Sequence, residues 1–264
     1  MDDFILKVMP IPLVYLSVVA LILLACEGGF RIGHRLHRKY QDAGAHSSVG
    51  PIVGGMLGML AFVLAFTFSM AASQHNERKQ DVLTEANHIG AAYLQGDFLG
   101  EQRAVKVKRL LREYLDIRVA AARPGGDWEP AMRRSLEIHE LLWGQVSPAV
   151  IEQPNSALAL LAESINEVID MHAQRFTDTI RTRIPGSIWI GLIIITVLTM
   201  GTLGLQVGLA GKRRLVAIIP ISLAFAVLAT LIVDLNRPQG GLITVSQQPM
   251  IDLQESMGKA SGLP

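Results

Sequence analysis

Residues 49–73 read VGPIVGGMLGMLAFVLAFTFSMAAS and contain no charged side chain. A helix of ~20 residues, rising ~1.5 Å per residue, crosses the hydrocarbon core of a bilayer, so this run is long enough to span one. Three further apolar runs cover about residues 5–26, 188–209 and 215–233. The four runs predict an integral membrane protein with four transmembrane helices.

The composition supports the membrane class. Of the 264 residues, 50% are hydrophobic and 18% are charged, whereas soluble domains carry ~25% charged residues. The net charge of +1 supplies no basic field that would recruit nucleic acid. The single cysteine, Cys26, excludes an intrachain disulfide framework. We interpret Cys26 as a buried thiol in a first transmembrane helix that is not cleaved off. The alternative is lipidation of Cys26, because the residues before it resemble a lipoprotein cleavage site.

The apolar runs pair into two hairpins around a polar block. The predicted organisation is a first transmembrane hairpin (1–73), a helical extramembrane domain (74–184), a second hairpin (185–234) and a C-terminal tail (235–264). In the block, helices are predicted to continue the second span to Leu94 and to cover about 101–122, 127–145 and 155 onward. The tail is predicted to be one short strand or an extended segment. The fold class is therefore all-α, with a central helical extramembrane bundle.

Small residues recur every three or four positions along the second span. At ~100° per residue they share one arc of ~100°, and such a stripe lets another helix approach closely in a membrane. The positions are Gly50, Gly54, Gly58, Ala61 and Ala65, and the third span repeats the pattern at Gly201, Gly204 and Gly208. Packing within the chain explains each stripe alone, but two such helix-packing stripes favour self-association into a homo-oligomer.

Phe62 and Phe66 stand one helical turn apart on a neighbouring face of the second span. Such a pair is usual in lipid-facing or core packing. A ring of phenylalanines from several subunits can instead form a hydrophobic constriction that gates by dewetting. No span has an ionisable side chain at its middle, which argues against a proton-coupled carrier.

Charged residues flank the spans. Arg78 and Glu85 share a face of the helix that continues the second span, while Asp234 and Arg237 follow the last span. These residues are candidates for a polar vestibule or a subunit contact, and ordinary solvated ion pairs are the alternative.

The sequence contains no phosphate loop, dinucleotide fingerprint, nucleophile elbow or zinc-protease motif. His34 and His37 lie three residues apart, but the neighbouring arginines oppose a metal ion there. We therefore predict no catalytic residue, no metal and no cofactor, and the protein is not expected to be an enzyme.

Several segments together resemble a known family. They are Gly54–Phe68, the runs NERK at 76–79 and EAN at 85–87, and Asp234-Leu235-Asn236-Arg237-Pro238 followed by Gly240. In this order they are similar to bacterial bestrophin-like membrane proteins over nearly the whole chain. The resemblance implies a multi-pass protein of the bacterial inner membrane whose partners are the lipid bilayer, copies of itself and small ions.

Bestrophins proper, a more remote likeness, are pentameric anion channels with pore-neck phenylalanines one turn apart on the second membrane helix. By this likeness Phe62 and Phe66 would line a neck in a pentamer, although Gly58 stands where a larger apolar side chain is expected. The calcium clasp of animal bestrophins has no match. The alternative function is a non-conducting membrane scaffold or sensor whose helical domain binds a partner.

The basic segments 27–48 and 210–214 favour a cytoplasmic location for these ends of the hairpins, because short basic loops usually stay inside. Bestrophins hold their helical block in the cytoplasm, so the resemblance implies the opposite orientation.

Overall fold

The computed structural model describes residues 9–40, 45–123, 126–180, 184–211, 215–237 and 241–260. Every regular element in these ranges is helical. The helices are α1 (Ile11–Tyr40), α2 (Ala45–Gln95), α3 (Glu101–Ala121), α4 (Trp128–Glu152), α5 (Ser156–Ile180), α6 (Gly186–Leu209), α7 (Leu215–Asn236) and α8 (Gln248–Ala260). A 3-10 turn, Gly96–Phe98, separates α2 from α3. The all-α class is confirmed.

Four segments are long and apolar enough to cross a membrane. They are Ile11–Lys39 in α1, Val49–Phe98 in α2 with its 3-10 turn, Gly186–Leu209 in α6 and Ile218–Asn236 in α7. In α2 the uncharged part is residues 49–73, and polar residues become frequent after it. The predicted set of four transmembrane helices is therefore confirmed by length and composition.

The chain forms two compact units. The membrane unit comprises residues 1–75 and 183–244, and the helical unit comprises residues 76–182 and 245–264. The division therefore falls inside α2. The C-terminal segment, predicted as a separate tail from residue 235, is divided at residue 244 between the two units.

In the membrane unit, α1 packs along α6 and α7. The helix continues to Tyr40, well past the predicted end near Cys26, because no proline or turn cluster interrupts it. The basic residues that were expected in a turn therefore lie on the last turns of α1. The apolar core of the unit includes Ile22, Leu60, Met200 and Ile232, all of which are buried.

Glycines bring α1 and α6 into backbone contact. A Cβ atom built on Gly204 would overlap the carbonyl group of Cys26, and one built on Gly208 would overlap the carbonyl oxygen of Phe30. From the other side, a Cβ on Gly29 would overlap the carbonyl oxygen of Gly201. Such small residues let membrane helices approach closely enough for extensive van der Waals contact.

The helical unit surrounds a second apolar core. Its buried side chains come from the second half of α2, from α3, α4 and α5, and from α8. The largest of these that are almost fully buried are Ile89, Leu111, Tyr114, Leu115, Ile138, Leu142, Leu161 and Ile165.

Two elements of this unit differ from the prediction. Helix α4 runs through Pro148 to Glu152 instead of ending near Gln145, and the buried Val146 and Ala149 explain how packing offsets the proline. The C-terminal segment forms helix α8 after residue 247, whereas a strand or an extended segment was expected. Its Met250 and Met257 are buried, as expected for an apolar helical face at a spacing of seven residues.

Candidate functional site

Phe62 and Phe66 lie on the outer face of α2. The exposed fractions are 72% for Phe62 and 59% for Phe66, whereas Leu60, Leu64 and Thr67 are buried. At ~100° per residue, the buried residues and the phenylalanines occupy opposite sides of the helix. Packing within the chain thus leaves both rings available to lipid, to another subunit or to a pore.

The small-residue stripe of α2 is also open. In the described part of the chain, a Cβ built on Gly54 or on Gly58 would have no atom within 4 Å apart from its chain neighbours and the nearby backbone of α2. A Cβ on Gly50 would lie 3.3 Å from the amide nitrogen of Gln206. The two alanines of the stripe are exposed. Within the described part of the chain, most of this stripe therefore has no helix against it.

The stripe of α6 is placed differently. Gly204 and Gly208 face the backbone of α1, and a Cβ on Gly201 would lie 3.7 Å from the carbonyl oxygen of Ala25. The sequence pattern is the same in the two helices, but the glycines of α6 pack against α1 of the same subunit.

Asp234 holds the chain that follows α7. Its Oδ1 accepts a hydrogen bond from the backbone N–H of Leu242 at 2.8 Å, and its Oδ2 accepts one from Ile243 at 2.9 Å. A side chain on Gly241 would collide with this carboxylate. The aspartate therefore holds the backbone of the turn that follows α7.

The next residues of the motif hold two other segments. The side-chain oxygen of Asn236 accepts a hydrogen bond from the backbone N–H of Ile184 at 3.2 Å, just before α6. Arg237 donates from Nη2 to the carbonyl oxygen of Met9 at 2.6 Å, just before α1. The Asp-x-Asn-Arg motif thus joins the end of α7 to the starts of two other membrane helices and to the following turn.

The helical unit contains a buried polar cluster around Glu85, which is fully buried. The Nε of Arg118 donates to its carboxylate at 2.9 Å, and the hydroxyl of Tyr114 donates at 2.7 Å. Arg175 forms a second ion pair with the same carboxylate. Glu85 therefore does not lie on a solvated helix face, whereas Arg78, the other candidate on this helix, is half-buried.

The cluster changes the acidity of its members. Burial would raise the pKa of Glu85, but the charges of Arg118 and Arg175 and the hydrogen bonds outweigh it and lower that pKa to about 2. Burial and the charge of Glu85 raise the pKa of Tyr114 well above its ordinary value. Glu85 is therefore ionised and Tyr114 is neutral at every physiological pH.

Two histidines complete the cluster. His139 and His172 are buried, and their rings meet edge to face with centroids 4.9 Å apart. The Nδ1 atom of His172 lies 3.2 Å from the Tyr114 hydroxyl. Burial and the charge of Arg118 lower the pKa of each histidine to about 4, so both are neutral near pH 7.

Sequence reasoning did not single out Tyr114, Arg118, His139 or Arg175. One signal was present, because His172 lies on the apolar face of α5 in the series Leu158, Leu161, Ile165, Ile169, His172. A polar residue at such a position needs a buried partner. Among the described residues, no group of three or more His, Cys, Asp and Glu side chains is arranged to hold a metal ion.

The chain was compared with protein-family models, curated proteins and solved structures. The family model of the bestrophin-like domain matches residues 19–250. A crystal structure of a mutant bacterial bestrophin homologue from Klebsiella pneumoniae is similar to this chain with a TM-score of 0.62 and 12% identity, over 96% of this chain and 99% of that one. No curated protein matches the chain. At this identity the structural likeness shows the fold, and the family match extends over most of the sequence. The chain therefore belongs to the bestrophin-like family of membrane proteins.

Proposed function

We propose that the protein is an oligomeric channel for small ions, with anions as the conducted species, and that Phe62 and Phe66 form its hydrophobic neck. One observation carries this proposal: both rings are exposed on the side of α2 that faces away from the packing of its own chain. Residues 49–73 contain no ionisable side chain, so the neck would have no charged binding site.

The mechanism needs several subunits, because a single α2 cannot enclose a pore. A ring of phenylalanines would control ion passage through its width and through the ease with which water enters it. The open glycine stripe beside the phenylalanines would allow a neighbouring helix to approach. The family resemblance supports a pentamer and anions. Conduction of this kind uses no cofactor and no covalent chemistry.

The same proposal includes a location. The channel would lie in the bacterial inner membrane, with the basic segments 27–48 and 210–214 in the cytoplasm. The basic charge of these two segments supports this orientation, whereas the resemblance to bestrophins implies the opposite one.

Anion flux through liposomes that contain the purified protein tests the proposed function. A Phe62→Ala/Phe66→Ala double variant should conduct roughly tenfold faster or discriminate less between anions of different size, because smaller side chains widen the neck and ease its wetting. Light scattering must show that both proteins form the same oligomer.

Phe68→Ala is the matched control. Phe68 is on the same helix and is 36% exposed, but it lies about 200° of helical rotation from Phe66. This variant should conduct like the wild type. Absence of flux from correctly assembled wild-type protein would contradict the channel. Equal effects of the control and the double variant would contradict the assignment of the neck.

A second candidate function is a membrane scaffold or sensor that binds a partner through the helical unit. It is favoured by the apolar surface of α4, where Leu136, Trp143 and Ile151 are 51%, 44% and 76% exposed. Exposed apolar residues on one helix are typical of a contact surface. A non-conducting but assembled protein would make this candidate the preferred one.

A further inference from the structure

We propose that the last turns of α1 form a binding surface for anionic phospholipid headgroups, with Arg35 and Arg38 as its principal cations. The surface lies in the membrane unit and is independent of the proposed channel. It follows from the length of α1, from the arrangement of its charges and from the apolar residues beside them.

The length of α1 places these arginines at headgroup depth. From Ile11 to Phe30 the helix spans about 30 Å, the thickness of the hydrocarbon core of a bilayer. The first arginine follows immediately at position 31, and its Nε lies 2.9 Å from the carboxylate of Glu27. The charge of Arg31, the first cation of the basic segment, is therefore balanced by Glu27.

Two further arginines follow Arg31 on the same side of the helix. Arg35 and Arg38 are exposed, and neither has an ion-pair partner among the residues that the structure describes. With Arg31 they fall within an arc of about 60° at ~100° per residue. Their cations therefore form one column along the helix, where lipid phosphates can approach several of them together.

The surface of α1 beside the arginines is apolar, as expected for a helix segment near the lipid headgroups. Ile32 and Leu36 are 55% and 39% exposed and lie next to the arginine column. An apolar strip beside a basic strip is the pattern of a helix at the boundary of acyl chains and headgroups. On the opposite side of α1, the buried Gly33 packs against Gly208 of α6. That side of the helix therefore contacts the protein and not the lipid.

The residue that ends the turn after α6 lies beside this end of α1. A Cβ built on Gly211, which follows α6, would lie 3.0 Å from the ring nitrogen Nε2 of His37. The next residues in the chain are Lys212, Arg213 and Arg214, which lie outside the described residues. A juxtamembrane cation contributes about 1 kcal/mol to binding an anionic membrane surface, which is roughly a fivefold change in affinity.

The test is native mass spectrometry of the full-length protein, released from micelles that contain equal amounts of phosphatidylglycerol and phosphatidylcholine. The wild type should retain phosphatidylglycerol preferentially. Arg35→Gln/Arg38→Gln should lose roughly 20-fold or more of this preference, which corresponds to two cations. Arg35→Lys/Arg38→Lys, which keeps the charge, should retain most of it. Raised salt should weaken binding, because it screens exposed charges.

Lys106→Gln/Arg109→Gln is the control for net charge. These side chains are exposed on α3 in the helical unit, and their replacement removes the same charge. This variant should retain the lipid like the wild type. The proposal is overturned if the wild type does not prefer the anionic lipid, if the glutamine variant of α1 retains it fully, or if the control loses it equally. Matching melting temperatures in phosphatidylcholine alone would show that each variant is folded.

Discussion

At the scale of single residues, His139 and His172 link the stability of the helical unit to pH. Burial holds the pKa of each at about 4 in the folded protein, below the ordinary value of 6.5. Between these values the unfolded chain binds protons that the folded chain does not. The free energy of unfolding should therefore be highest above pH 6.5 and should fall as the pH decreases toward 4, by up to about 1.4 kcal/mol per pH unit for each histidine.

The measurement is the melting temperature of the helical signal between pH 7.5 and 4.5. The wild type should melt at progressively lower temperature as the pH falls, and His139→Gln/His172→Gln should show a flatter profile over this window. His88→Gln is the control, because His88 is half-buried and pairs with Glu167 at 2.8 Å outside the cluster. Identical profiles for the wild type and the double variant would contradict the assignment.

The partners in this cluster show what sequence can and cannot predict about a site. Helical periodicity places His172 on the apolar face of α5, because that information is local. The ligands of Glu85 come from α3 and α5, and their approach depends on how the helices pair in space. Periodicity within one helix carries no information on that pairing.

At the scale of helices, the close contact between α1 and α6 depends on Gly204. Gly204→Ala should destabilise the membrane unit by ~1–3 kcal/mol, because the added Cβ overlaps the carbonyl group of Cys26 and the backbones must separate. Thermal unfolding in detergent, followed by circular dichroism, measures the change.

Gly191→Ala is the matched control on the same helix. Among the residues that the structure describes, nothing outside the nearby backbone of α6 lies within 4 Å of a Cβ at this position, so the alanine should be neutral or slightly stabilising. Equal melting temperatures for the two variants would show that the α1–α6 contact does not limit stability.

The sequence predicts the membrane spans better than it predicts the other helices. The long apolar runs predict the spans, since a bilayer demands ~20 apolar residues in one helix. The sequence predicts that α4 ends near Gln145, yet the helix continues through Pro148, where the buried Val146 and Ala149 pack on both sides of the proline. Helix α8 was not predicted because the partners of its apolar residues, Met250 and Met257 among them, are in a core built by helices distant in sequence.

At the scale of the whole molecule, we expect substitutions in the two glycine stripes to affect assembly differently. The stripe of α6 faces α1 of its own chain, whereas Gly54 and Gly58 of α2 face open space. If subunits associate through α2, a large side chain there should weaken the oligomer and leave the subunit folded. A large side chain in the α6 stripe should instead damage the subunit itself.

Gly58→Leu tests this assembly. We expect the subunit to fold, because no described residue outside the nearby turns of α2 has an atom within 4 Å of a Cβ at this position. We also expect association to weaken by ~1–3 kcal/mol per interface, or roughly 5- to 150-fold in the association constant. Light scattering of the detergent-solubilised protein over a range of concentrations measures the shift toward smaller species. Gly191→Leu, in an equally open position on α6, should leave the mass unchanged. An unchanged oligomer in Gly58→Leu would exclude this face from the interface, and a pore formed around Phe62 and Phe66 would then lack the close helix contact that it needs.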